Sequence, residues 1–171
     1  MNVRKGIHDN AAAIANFFQE QQKNQDPFLR ITPTLLKSLL GTKGVHCEVF
    51  EITDENEEKQ IVATYLGFDK KIIQSNKELK KNAFLKELCK QILYDFTLFI
   101  DLVAETGTQE ENYKRMMMMS YLDETKKKTV MIASKFPVPT SIKQQIEFFR
   151  FKEEKIIQAE GEEYQLFELD N

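Results

Sequence analysis

Little in this chain would staple it covalently or bend it sharply: its 171 residues include two cysteines, four prolines, six glycines and two histidines, and no tryptophan. The cysteines, Cys47 in a strand-like and Cys89 in a helix-like apolar segment, exclude a disulfide scaffold and fit buried free thiols. No Cys/His spacing around His8, His46 or the cysteines matches a structural zinc site, so no metal is expected. Long apolar runs are also missing, and Met1-Asn2-Val3-Arg4-Lys5 opens without an apolar signal core, so a cytoplasmic protein without membrane contact is expected. Neither sign of charge dominates. With 24 Lys and Arg against 27 Asp and Glu, the net charge is −3, which gives no global basic field and argues against nucleic acid as a partner. Hydrophobic content of 42% over this length suits one ordinary core, so residues 1–171 are read as a single domain.

What is present is an alternation of strand and helix patterns. Val3 to Ile7 alternates as a strand, and Asp9 precedes a helix from Ala11 to Gln21, with Ile14, Phe17, Phe18 and Gln21 at helical spacing. Thr32-Pro33, a cap followed by a first-turn proline, opens a short helix through Leu35, Leu36, Leu39 and Leu40 that stops at Gly41. His46 to Thr53 and Gln60 to Phe68 read as a hairpin around the charged tip Asp54 to Glu58. Leu79, Phe84, Leu85, Leu88, Ile92 and Leu93 place a helix over Asn76 to Tyr94. Phe96 to Ala104 reads as a buried strand, Asn112 to Lys127 as a helix and Thr129 to Ser134 as a short strand. Thr140 or Ser141 caps a helix through Ile142, Ile146 and Phe149, and strands over Glu154 to Ala159 and Glu163 to Leu169 turn at Glu160-Gly161. This order specifies an α/β domain around one mixed sheet.

The segment Gln109 to Lys114, between the apolar strand and the helix, is where a phosphate would be held. Strand, polar turn and helix start together aim free backbone N–H groups at an anion, and Lys114 and Arg115 stand beside that opening. Close approach of backbone to phosphate favours residues without side chains, yet the turn carries Glu110, Glu111 and Asn112.

In this order of elements the chain resembles the GCN5-related N-acetyltransferase (GNAT) superfamily over nearly its whole length. Val3 to Ile7 and Asn10 to Phe17 are similar to that family's first strand and helix; Gln60 to Phe68 is similar to its third strand, with Ala63 where a glycine is common. Leu98 to Ala104 is similar to the fourth strand, whose end exposes backbone to the pantetheine of acyl-CoA, and Ile146 to Phe151 to the late helix. The resemblance implies a mixed, mostly antiparallel central sheet with helices on both faces, and makes the helix over about 76–94 an insertion. A second register takes Leu79 to Tyr94 as the cofactor helix and Phe96 to Ala104 as the fifth strand, but leaves too much chain at the end. The family's phosphate motif, Gln or Arg, two residues, Gly, one residue, Gly or Ala, keeps only Gln109 here, with Asn112 and Lys114 in place of the small residues; its frequent tyrosine acid falls at Phe149.

The implied activity is transfer of an acetyl group from acetyl-CoA to a primary amine of a small molecule or peptide, by direct attack on the thioester. The implied cofactor-binding residues are Leu102, Val103, Ala104, Gln109, Asn112, Tyr113, Lys114 and Arg115. Deprotonating the amine and protonating the sulfur need a base and an acid. Asp101, Glu105 and Tyr113 are the candidates, while Glu48 and Glu51 lie on a strand bordering the acceptor side. His46 and Cys47, adjacent on a strand, point to opposite faces and cannot form a nucleophile pair. Two other readings stay open: a non-catalytic GNAT-like binding or regulatory module, and a structural subunit that pairs as a homodimer through its helices or edge strands.

Overall fold

A computed structural model of the protein describes residues 2–104 and 108–171, with His8 and Thr108 described by their backbone alone. Seven strands form one sheet in the order β1-β2-β3-β4-β5-β7-β6: β1 (Asn2–Lys5), β2 (Val45–Thr53), β3 (Lys59–Asp69), β4 (Thr97–Val103), β5 (Thr129–Lys135), β6 (Lys152–Ala159) and β7 (Glu162–Asp170). The helices are α1 (Ala11–Gln22), α2 (Pro33–Leu39), α3 (Lys70–Ser75), α4 (Ala83–Gln91), α5 (Thr108–Glu124) and α6 (Thr140–Phe149). The sheet is mixed and mostly antiparallel, with β4 and β5 parallel through Thr97↔Val130 and Leu98↔Met131. No helix among the described residues is long and apolar enough to cross a membrane.

The chain divides into two compact units, residues 1–67 with 100–117 and residues 68–99 with 118–171. In the first, β1 pairs antiparallel with β2, and Gly6 N–H extends the pairing to Cys47 C=O at 2.8 Å. Helix α1 buries Ala11, Ile14, Ala15 and Phe18. Thr32 caps α2, its hydroxyl accepting from Leu35 N–H at 3.1 Å, with Pro33 in the first turn as the sequence required. The buried Gln22 ties the connection down: its amide donates to Leu29 C=O and its carbonyl accepts from Ile31 N–H.

Strand alternation sorts the polar residues of this unit by sheet face. Ala104 N–H donates to Val62 C=O at 2.8 Å, which ties the segment just after β4 to β3. Cys47 meets Thr64 on one face, where Ile14 of α1 approaches Gly6, and the next residues along, Glu48 and Tyr65, pair on the other; α5 reaches β4 through Lys114 at Asp101.

The second unit holds β5, β7 and β6 in antiparallel register, with Phe84 of α4 against Tyr164 of β7 at 4.5 Å between ring centroids. Tyr121 of α5 is fully buried, hydrogen-bonded to Thr97 and 5.0 Å from the Phe99 ring.

Two sequence expectations are corrected here. The helix expected over Asn76 to Tyr94 is broken: α3 ends before Asn76, whose Oδ1 accepts from Glu78 and Leu79 N–H, and Asn82 Oδ1 accepts from Leu85 N–H to start α4. Asparagine side chains compete with the helix for backbone donors, and two of them reset it. The expected turn Gln109 to Lys114 is helical, because α5 begins at Thr108 rather than Asn112 and ends at Glu124 rather than Lys127.

Candidate functional site

The end of β4 and the opening turns of α5 together form the candidate anion and acyl site. Helix α5 carries Glu110 and Glu111 in its first turn, where four backbone N–H groups lack intrahelical partners. Its second turn is fixed from below. Lys114, buried, reaches back to β4 and places Nζ 3.0 Å from Asp101 Oδ1, the two side chains being 10% and 14% exposed. One turn apart, Arg115 pairs with Glu111 at 2.5 Å.

These pairs decide the electrostatics of the helix opening. Lys114 is matched by Asp101 and Arg115 by Glu111, so the two cations beside the helix start are already compensated by carboxylates. An anion there meets the backbone N–H groups and the positive end of the helix dipole, with Glu110 and Glu111 opposing it. The residues present thus fit an anionic cosubstrate through backbone, and less well through side chains.

Between neighbouring strands β3 and β2, Tyr65 donates to Glu48 Oε1, pairing a phenol with a second carboxylate of the same unit. Tyr65 is fully buried and Glu48 half-buried. Glu51 lies on the opposite face, its carboxylate bound by Arg4 through Nε at 2.7 Å and Nη2 at 3.3 Å. Cys47 is buried against Thr64, and burial pushes its thiol up to about 12, which makes it a packing residue and a poor nucleophile. Burial also raises the Cys89 thiol, and both cysteines are free.

Of the residues singled out from sequence, Asp101 and Lys114 are brought into contact, and Leu102 and Val103 lie half-buried at the end of β4. Ala104 is exposed, but its N–H is committed to Val62 C=O. Gln109 and Asn112 project to solvent, and Tyr113 is half-buried on the same helix. Glu105 lies outside the described residues. Phe149 closes α6 with its ring edge-on to Phe148 at 4.8 Å. Sequence reading missed the link of Tyr65 to Glu48; a tyrosine amid the apolar run of β3 was its only signal.

No protein-family model and no curated protein sequence matches the chain. Solved structures do, over nearly its full length. Arabidopsis thaliana NAA60 in complex with acetyl-CoA matches with a TM-score of 0.64 at 8% identity, covering 98% of this chain and 97% of that one. The ribosomal-protein-alanine N-acetyltransferase from Brucella melitensis matches with a TM-score of 0.63 at 10% identity, covering 100% of both chains. The chain has the fold of the GCN5-related N-acetyltransferases. Another GNAT structure, aminoglycoside acetyltransferase AAC(6')-Ib with coenzyme A and kanamycin, matches at 9% identity with a TM-score of 0.55, covering 96% and 92%. At such identities the likeness establishes the GNAT fold, and chemistry has to be argued from this chain's own residues.

Proposed function

We propose that the 171 residues act as one acyl-CoA-dependent N-acetyltransferase domain in the cytoplasm, moving an acetyl group from acetyl-CoA to a primary amine on a small molecule or peptide. The observation that carries this reading is a helix start, α5, anchored to the end of β4 by the Asp101–Lys114 pair, within a fold shared with acetyl-CoA-bound Arabidopsis thaliana NAA60 over 97% of that chain. In the proposed reaction the amine nitrogen attacks the thioester carbonyl carbon, the C–S bond breaks, the ammonium proton leaves to a carboxylate and the CoA thiolate takes up a proton. Asp101 and Glu105 are the proposed proton acceptors and Tyr113 the proposed donor to sulfur. Leu102, Val103 and Ala104 line the pantetheine, with Ala104 contributing its carbonyl side because its N–H serves the sheet. The first-turn amides with Gln109, Asn112, Tyr113 and Arg115 hold the pyrophosphate end, and Lys114 sets the helix through Asp101.

A second reading, a GNAT-like binding module without catalysis, is favoured by Glu110 and Glu111 at the helix start and by Phe149, whose ring has no proton to give. Calorimetric titration with acetyl-CoA and CoA, followed by mass spectrometry of an amine panel, separates the two. Saturable binding with acetylated product supports the enzyme; binding without product supports the module. Removing the opposing charge in E110Q/E111Q is expected to tighten acetyl-CoA binding by roughly threefold to tenfold, corresponding to about 0.7–1.4 kcal/mol. Unchanged affinity would move the pyrophosphate away from α5.

A further inference from the structure

We draw no further inference here: the strongest candidate, the acidic turn between β2 and β3 with exposed Glu55, Glu57 and Glu58, leading into the part of β3 that Val62 ties to Ala104 just after β4, carries nothing, because an acidic cluster is by itself no binding site and nothing in the structure shows what covers it.

Discussion

Gly6 stands where β1 passes over β2, and a β-carbon built there would lie 2.5 Å from Cys47 Sγ, 3.0 Å from Cys47 Cβ and 3.1 Å from Ile14 Cδ1. The requirement is steric: Cys47 is 7% exposed and cannot retreat into α1. Gly6→Ala should therefore cost about 1–3 kcal/mol in urea denaturation, and adding Cys47→Ala should recover part of that loss, a coupling that two independent mutations would not show. The Asp101–Lys114 pair obeys a different rule. Removing one member leaves a charge buried without its partner, so Lys114→Ala should lower stability by about 3 kcal/mol. Replacing both, as D101L/K114M, should cost much less, because an apolar pair of similar volume carries no desolvation penalty. Equal destabilisation by the single and double variants would mean that packing, rather than charge, sets the position of α5.

At the scale of elements, the sequence made most of the sheet legible because β2, β3, β5 and β7 combine β-branched and aromatic residues with turn signals between them. The start of α5 was not legible. Thr108 to Lys114 is almost wholly polar, and the buried side chain that anchors it inward, Lys114, is one that apolar periodicity counts as outward-facing. The four consecutive methionines behave as helical geometry requires: Met117 and Met118 are buried, Met116 and Met119 exposed. Asn76 and Asn82 hid for the opposite reason, since the apolar spacing on either side runs on in phase while their side chains cap and restart the helix. Of the candidate site, Asp101, Lys114 and Arg115 were readable as residues, but that each cation already has a carboxylate partner required the fold.

Strand β7 carries a cost of its own. Burial raises the Glu168 carboxyl above its ordinary value, with Glu154 and Asp170 adding to the rise and the hydrogen bond from Tyr94 opposing it. The folded state then binds more protons than the unfolded chain, so this contribution is fully present below the ordinary carboxylate value, about 4.3, and is lost as pH rises through the raised one. Glu168→Gln should raise the melting temperature at pH 7 and match the wild type once the pH falls below the ordinary range. A variant less stable than wild type at pH 7 would show that the Tyr94 hydrogen bond outweighs the repulsion.

For the whole molecule, the decisive fact is where the two compact units meet along the chain. The divisions fall at 67/68, 99/100 and 117/118, inside β3, β4 and α5 respectively. Independent domains are normally joined by exposed, flexible linkers, and no linker occurs at any of these three crossings. Unfolding one unit must break the hydrogen-bond ladder of two strands and one helix partway along, leaving their remaining halves to terminate without caps. Loss of either unit should therefore carry the other with it. Native-state hydrogen exchange checks this on the amides of β2, wholly in the first unit, and of β7, wholly in the second. The slowest amides of both strands should report one common opening free energy and the same denaturant dependence, as a single cooperative domain of 171 residues requires. If β7 instead keeps its protection at denaturant concentrations where β2 has lost it, the chain is two folding units, and the helix α5 that runs through both becomes the element to cut and test.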